Sequence, residues 1–226
     1  MLAEGVAPQI EAAGIRPGRP LVAVDADEVL VHFARHLARF VGTRGWKLDL
    51  SEYRLDGAIR RLEDDRPAGR EEIWSLILDF FETETARQEA IAGAAEGLHT
   101  LSRRAQIVVL SNVPMAARAA RIANLAGHGI AYPVIANQGG KGRALAELAR
   151  RAAAPVAFID DSPAQIESAA RHAGTALRVH FVGSEFLRPI APQVPQAHCA
   201  PADWPQVVAA VEDYLAGSPG PRPFSI

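Results

Sequence analysis

The sequence has almost no cysteine and no long hydrophobic run. Cys199 is the only cysteine among 226 residues, which excludes an internal disulfide and favours a reducing compartment. The absence of an apolar stretch of about 18 residues argues against a transmembrane helix. The segment 1–20 carries Glu4 and Glu11 and lacks both a basic start and a continuous apolar core, so it makes a poor secretory signal. These features predict a cytoplasmic location.

The sequence also lacks an excess of charge of either sign. Lys and Arg number 24, Asp and Glu number 26, and the net charge is −2. No basic stripe indicates nucleic-acid binding, and no polybasic run indicates a membrane surface. We therefore predict neither a nucleic-acid partner nor a membrane partner, and the sequence leaves the oligomeric state open. The length suits one α/β domain, alone or with a smaller insertion.

One stretch, Leu21 to Leu30, joins a buried strand to two carboxylates. Its first four residues form an apolar run that suits a parallel strand. Asp25 and Asp27 follow at the carboxyl end of this strand, where open α/β sheets bind their ligands. Two such carboxylates can bind one hard cation, or one can act as a nucleophile while the other transfers a proton. A solvated turn or a helix N-cap is the alternative interpretation.

Strand and helix patterns alternate along most of the remaining chain. Further apolar strands are predicted at Ile107 to Leu110 and at Val156 to Ile159, and amphipathic helices lie between them. This order predicts an α/β fold, with a Rossmann-like parallel sheet and helices on both faces. Residues 1–19 are predicted to form a loose lead-in, and residues 217–226 a flexible tail.

The alternation stops between residues 42 and 89, where no strand-like run is evident. We predict a helix over Ser51 to Leu62 and an amphipathic helix over Arg70 to Glu82. This segment is therefore interpreted as a small helical insertion, and residues 1–41 and 90–216 as the α/β core. The insertion contains four arginines that either contact an anionic substrate or form a solvated basic face: Arg54, Arg60, Arg61 and Arg66.

Three predicted strands are each followed by a pair of polar residues. The pairs are Asp25 with Asp27, Ser111 with Asn112, and Asp160 with Asp161. Parallel strands place these ends at one edge of the sheet, and Lys141 lies in a glycine-flanked loop between the second and third. The order Asp-x-Asp, Ser, Lys, Asp-Asp resembles the haloacid dehalogenase-like (HAD) hydrolase superfamily over about residues 21–182.

The resemblance implies a role for each residue that matches a motif. Asp25 would be the nucleophile that forms an aspartyl phosphate, and Asp27 the general acid and base. Ser111 would hydrogen-bond the transferring phosphoryl oxygens, with Asn112 beside it binding substrate. Lys141 would neutralise charge between Asp25 and the phosphoryl group. The resemblance also implies a HAD-like core in which residues 42–89 form a cap.

The resemblance further implies a Mg²⁺ site. Asp161 aligns best with the direct ligand, and Asp25 and the backbone carbonyl of Asp27 would complete the protein part of the shell. Asp160 either binds the ion or supports its neighbour. Carboxylates and a phosphate at one sheet edge would repel one another strongly without Mg²⁺ and Lys141, which gives an independent physical reason for both cations.

Two positions depart from the family pattern. Glu28 stands where the family often has glycine or another small residue, so the turn after Asp27 is expected to differ. Gln165 stands where many members have a further aspartate, and Asp160 is a candidate to replace it.

The leading functional prediction is a Mg²⁺-dependent phosphatase that acts on a small phosphorylated metabolite. A dehalogenase of the same fold is disfavoured, because it needs neither Asp27 as a proton donor nor a metal ion. A phosphomutase would return the phosphoryl group to a sugar. A phosphate- or metal-binding regulatory module without turnover is the alternative from a different class of protein.

Overall fold

A parallel β-sheet forms the centre of the computed structural model, which describes residues 1–217. The strands are β1 (Leu21–Val24), β2 (Trp46–Leu48), β3 (Ile59–Arg61), β4 (Gln106–Ser111), β5 (Val134–Ala136), β6 (Val156–Asp160) and β7 (Leu177–His180). Five of them form the sheet, in the order β5-β4-β1-β6-β7, and β2 pairs with β3 separately. The predicted α/β fold is confirmed.

Helices lie on both sides of this sheet. They are α1 (Val6–Ala12), α2 (Ala34–Gly42), α3 (Arg70–Glu84), α4 (Ala94–Ser102), α5 (Arg118–Gly127), α6 (Gly142–Ala152), α7 (Pro163–His172) and α8 (Trp204–Leu215). Within residues 1–217, none of these helices is both long and apolar enough to cross a membrane. The predicted tail lies outside the described residues, apart from Gly217.

The central strand β1 fixes where the polar strand ends meet. Val24 pairs in parallel register with Val109 of β4 on one side and with Ile159 of β6 on the other. Alternate residues of β1 enter opposite apolar layers, with Val22 and Val24 in one and Leu21 and Ala23 in the other. The carboxyl ends of β1, β4 and β6 therefore lie at one edge of the sheet.

The N-terminal segment is not the loose lead-in that its Gly and Pro content predicted. Residues Val6 to Ala12 form α1, and both Val6 and Ile10 are fully buried in one of the two apolar layers. Their spacing of four residues places them on one helix face, which packs near β5. The prediction was wrong because burial of these two side chains outweighs the flanking glycines and prolines.

The predicted helix over Ser51 to Leu62 is also wrong. This stretch ends in β3, which pairs antiparallel with β2 so that Trp46 lies opposite Arg61. Gly57 has φ +77°, a left-handed conformation that interrupts a right-handed helix. The segment 42–89 is thus a two-stranded hairpin followed by a long helix rather than purely helical. Its separation from the α/β core as a cap stays a prediction.

The helix predicted from Arg70 is confirmed and continues to Glu84. Its buried residues include Phe80 and Phe81, which contact Phe33 at ring-centroid distances of 5.2 and 5.7 Å. The apolar layer around them also contains Val113, just after β4. This packing holds the inserted segment against the edge of the sheet where the polar residues lie.

Candidate active site

Lys141 lies between two buried carboxylates at the carboxyl edge of the sheet. Its Nζ is 2.7 Å from Asp25 Oδ1 and 2.7 Å from Asp160 Oδ2. Backbone N–H groups fix both acids, because Ala26 donates to Asp25 Oδ1 and Ser162 donates to Asp160 Oδ1. The structure therefore brings together three of the residues that the sequence placed in the site.

Asp161 completes a group of three carboxylates. One oxygen from each of Asp25, Asp160 and Asp161 lies within 4.8 Å of the others. Asp161 Oδ2 accepts a hydrogen bond of 2.5 Å from the hydroxyl of Tyr53, which belongs to the inserted segment. In residues 1–217, Lys141 is the cation that bridges this group, so the bridge leaves two of three negative charges uncompensated.

This donor set fits a divalent cation. Mg²⁺ binds carboxylate oxygens and keeps several waters, so it is suited to a site of two or three acids at a ligand-binding edge. Asp25 and Asp161 each have an oxygen that Lys141 does not contact. The geometry is compatible with the predicted ligands, and the assignment of Mg²⁺ to them stays a prediction.

The pKa values of the cluster show how strongly burial acts on it. Burial raises the pKa of Asp25 to about 7, although Lys141 opposes the shift. Burial, reinforced by Asp160 and Asp25, raises the pKa of Asp161 well above its usual range. Burial alone would lower the pKa of Lys141, but the charges of Asp160 and Asp25 raise it. A bound cation would favour the ionised acids.

Asp27 lies outside this cluster and has different partners. Its Oδ1 accepts a hydrogen bond of 2.6 Å from Nη2 of Arg121 on α5 and one of 3.1 Å from Nε2 of Gln88. Arg121 is fully buried, and Gln88 lies in the chain that returns from the inserted segment to the core. The Asp27 side chain is 20% exposed, so part of it remains accessible to solvent.

Ser111 and Asn112 occupy the end of β4 next to this site. Ser111 is fully buried, and its Oγ accepts from the backbone N–H of Val113 at 3.3 Å. Asn112 donates to the carbonyl of Gly139 at 2.9 Å, which ties β4 to the loop that carries Lys141. Their predicted contacts with phosphoryl oxygens and substrate stay predictions.

Comparison with solved structures decides the fold family. The chain is similar to a HAD-family hydrolase from Deinococcus radiodurans R1 with bound phosphate and sodium, at a TM-score of 0.58 and 17% identity, over 89% of this chain and 98% of that one. It is also similar to a haloacid dehalogenase-like protein of unknown function from Agrobacterium tumefaciens C58. That match has a TM-score of 0.58 and 18% identity, over 86% of this chain and 100% of the other. The chain has the fold of the HAD-like hydrolases.

A third similar structure, a defluorinating L-2-haloacid dehalogenase, has a TM-score of 0.54 and 14% identity over 88% of this chain and 99% of that one. The sequence matches no protein-family model and no curated protein. At these identities the likeness establishes the HAD-like fold, and the activity has to be argued from the site.

Glu28 occupies the position just after Asp27 where the sequence resemblance led us to expect glycine or another small residue. Its φ is +60°, a left-handed conformation that favours glycine and is strained for other residues. The buried carboxylate accepts hydrogen bonds from the backbone N–H groups of Phe33 and Ala34, at 2.9 and 2.6 Å. These bonds satisfy the start of α2 and offset the strain. Burial raises the pKa of Glu28.

Gln165, the second departure, holds the loop of Lys141. Its Oε1 accepts from the Lys141 backbone N–H at 2.7 Å, and its Nε2 donates to Gly139 at 3.2 Å. An aspartate could accept the first bond but could not donate the second. The acid that contacts Lys141 Nζ together with Asp25 is Asp160, which the sequence offered as a candidate for this place.

Most arginines of the inserted segment have acidic partners within it. Arg60 pairs with Asp65, and Arg66 pairs with Glu72. Arg54 pairs with the exposed Glu52 and also lines a cavity of about 440 Å³ whose wall includes Asp161. A larger cavity, of about 520 Å³, lies along the Pro-rich segment 188–202, and its lining includes no residue predicted for the site, whereas Asp161 is the one such residue that lines the smaller cavity.

Three residues of the site were not predicted from the sequence: Tyr53, Gln88 and Arg121. Tyr53 and Gln88 lie in the insertion or its return chain, where no motif singles them out. Arg121 lies on an amphipathic helix, where an arginine ordinarily faces solvent. The one available signal was position, because Arg121 lies on the first α-helix after Ser111 and Asn112.

Proposed function

We propose that the protein is a Mg²⁺-dependent phosphatase that hydrolyses a small phosphomonoester through an aspartyl phosphate on Asp25. The observation that carries this proposal is the buried bridge from Lys141 to Asp25 and Asp160, with Asp161 beside it. A lysine and three acids at the carboxyl edge of a parallel sheet form a site for an anionic ligand with a bound cation.

The arrangement supports a two-step reaction. An oxygen of Asp25 attacks phosphorus, the bond from phosphorus to the leaving oxygen breaks, and Asp27 gives that oxygen a proton. Water then attacks the phosphoryl group, Asp27 takes the proton, and the Asp25 carboxylate is released with inorganic phosphate. Lys141 stabilises the negative charge that both steps concentrate at Asp25. A Mg²⁺ ion, held by Asp25, Asp161 and the Asp27 carbonyl, would supply further charge stabilisation.

The position of the inserted segment favours a small-molecule substrate over a protein substrate. Tyr53 reaches from it to Asp161, and the cavity of about 440 Å³ between the segment and the core is lined by both residues. A space of this size is within the usual range for small-molecule sites and leaves little room for a folded phosphoprotein. We therefore propose a phosphorylated metabolite as the substrate.

A phosphomutase is the second candidate within the same chemistry, since it shares the phosphorylated aspartate. The dehalogenase alternative is less well supported, because that reaction uses neither the three-acid cluster nor a proton donor to an alkoxide. The regulatory-module alternative predicts binding of phosphate or metal without turnover.

A panel of phosphomonoesters, each incubated with Mg²⁺ and with chelator, tests the proposal. We expect release of phosphate from an aryl phosphate and from at least one metabolite, with loss of both activities in chelator. Activity that chelator leaves unchanged would contradict the proposal, as would halide release from a haloacid without any phosphatase activity.

A further inference from the structure

The contacts of Asp27 single out a buried cation for which the predicted reaction gives no role. Arg121 on α5 donates to Asp27 Oδ1 at 2.6 Å, with its side chain fully buried. Gln88 donates to the same oxygen at 3.1 Å. Both donors therefore bind one oxygen of the carboxylate, and Oδ2 accepts from neither of them.

A contribution to fold stability does not by itself explain why the Arg121 side chain is buried. A buried guanidinium costs several kcal/mol in lost hydration unless partners satisfy its donors. Within residues 1–217, Nε and Nη1 of Arg121 are buried and have no hydrogen-bond partner, and Oε1 of Gln88 is in the same state. A buried polar group without a partner is rare in a folded protein, and a role in catalysis is one of the explanations for it. The partner that Arg121 does have is the predicted acid and base.

The same face of α5 also holds the chain that returns from the insertion. Asn124 donates to the carbonyl of Gln88 at 2.8 Å, and His128 Nε2 lies 2.9 Å from that carbonyl. Arg121 and Asn124 lie on α5 and His128 directly follows its last residue; their spacing of three and four residues places them along one side. Helix α5 and the residue after it thus fix the backbone carbonyl of Gln88, while the side-chain Nε2 of Gln88 donates to Asp27 Oδ1 and to the carbonyl of His32.

We propose that Arg121 and Gln88 are positioning residues for Asp27. They hold Oδ1 so that Oδ2 is the oxygen presented to the leaving group and, later, to water. Through Gln88, this placement depends on the chain that returns from the inserted segment. The inference rests on the proposed phosphatase function and adds two residues to it, neither of which touches substrate.

A comparison of two leaving groups can measure how well Asp27 is positioned. An alkoxide leaving group needs the proton from Asp27 as its bond to phosphorus breaks, whereas a nitrophenolate leaves without one. Loss of general acid catalysis typically lowers the reaction rate by roughly 10²–10⁴-fold. A catalytic group that is misplaced by a small distance lowers the rate by about 10²-fold. Mispositioning of Asp27 should therefore slow the hydrolysis of an alkyl phosphate much more than that of 4-nitrophenyl phosphate.

The experiment compares turnover of glycerol 2-phosphate and 4-nitrophenyl phosphate by wild type, Gln88→Leu and Arg121→Met. We expect each variant to lose on the order of 10–100-fold in kcat for the alkyl phosphate, with a much smaller loss for the aryl phosphate. Arg178→Met is the matched control, because Arg178 is also buried but donates to backbone carbonyls away from the site. It should lower the thermal midpoint without changing the ratio of the two rates.

A double-mutant cycle shows whether Gln88 acts through Asp27. Adding Gln88→Leu to Asp27→Asn should cause no further loss of alkyl phosphate turnover, since the group that Gln88 positions is already gone. Equal losses on both substrates, or full additivity in the cycle, would overturn the inference and leave the phosphatase intact. A wild-type chain that hydrolyses neither ester would overturn the proposed function and this inference with it.

Discussion

Adjacent aspartates at the end of β6 (Val156–Asp160) point in different directions. Asp160 receives Lys141 on Oδ2 and the Ser162 N–H on Oδ1, so both of its oxygens are engaged by the protein. Asp161 receives the Tyr53 hydroxyl on Oδ2. Since side chains alternate along an extended chain, we predict that Asp160 contacts the lysine and Asp161 binds the proposed metal ion.

The first prediction follows from this division. Asp161→Ala should weaken Mg²⁺ binding most, because it removes a direct ligand. Asp160→Ala should retain a measurable affinity, with a loss of about 10–100-fold typical of a residue that orients a ligand. Calorimetric titration of each purified variant with Mg²⁺ measures this without relying on turnover. If Asp160→Ala failed to bind while Asp161→Ala bound normally, the two roles would have to be exchanged.

At the residue scale, the sequence predicted the acids and the lysine but not what surrounds them. Asp25, Lys141 and Asp160 were identifiable because each follows a strand or lies in a glycine-flanked loop. Arg121 and Gln88 could not be identified in this way, because their contacts with Asp27 join positions 94 and 61 residues apart. Such contacts depend on how α5 packs, which no local pattern specifies.

At the scale of elements, the inserted segment is expected to determine substrate choice. The segment contributes Tyr53 and Arg54 to the cavity beside Asp161, while the predicted catalytic residues lie in the surrounding core. Arg54 is exposed, and its partner Glu52 is equally exposed, so the pair is worth little in free energy and the arginine is available to a substrate.

The second prediction tests this division between segment and core. Arg54→Glu should lower kcat/KM for substrates with a second anionic group more than for 4-nitrophenyl phosphate. Arg60→Glu is the matched control, because it makes the same change of charge in the same segment at an arginine paired with Asp65. It should leave the ranking of substrates unchanged. The same change of ranking in both variants would contradict a specific role for Arg54.

The elements predicted wrongly are those that depend on distant packing. The helix α1 (Val6–Ala12) forms because Val6 and Ile10 reach the core, and the hairpin of β2 and β3 forms because two short strands pair across an intervening loop. Strands of three residues carry too little alternation to stand out. By contrast, the helix that begins at Arg70 has a long apolar face, and this pattern was sufficient to predict the helix from the sequence.

At the scale of the whole molecule, the partly buried His198 makes stability depend on pH. Burial, together with the nearby charge of Arg178, lowers the pKa of His198 from 6.5 to about 4. Its Nδ1 accepts a hydrogen bond from the Arg178 N–H at 2.9 Å, which a protonated ring could not accept. The unfolded chain therefore binds a proton more readily than the folded chain between these two pH values.

The third prediction is that His198 destabilises the fold as pH falls from about 6.5 toward about 4. His198→Asn retains an acceptor for the Arg178 N–H but has no proton to bind. Thermal midpoints of wild type and variant, measured at neutral and mildly acidic pH, should diverge on acidification, with wild type losing more. The difference between the two proteins isolates His198 from the other titrating groups. Parallel curves would contradict this account.

The parallel sheet was the feature of the whole molecule that the sequence predicted best. Continuous apolar runs predicted β1, β4 and β6, and the parallel arrangement then placed their polar ends together. This meeting of strand ends is also the basis of the functional proposal, because it brings Lys141 to Asp25.

The central claim is that Asp25 carries the phosphoryl group, and chemical trapping tests it most directly. Asp27→Asn is the appropriate protein, because it slows the activation of water and lets the intermediate accumulate. The variant is mixed with 4-nitrophenyl phosphate and Mg²⁺, quenched, reduced with borohydride and analysed by peptide mass spectrometry. The account predicts reduction of residue 25 to homoserine with Mg²⁺ and none with chelator. Nitrophenol release accompanied by modification of a different residue, or retained in Asp25→Asn, would contradict it.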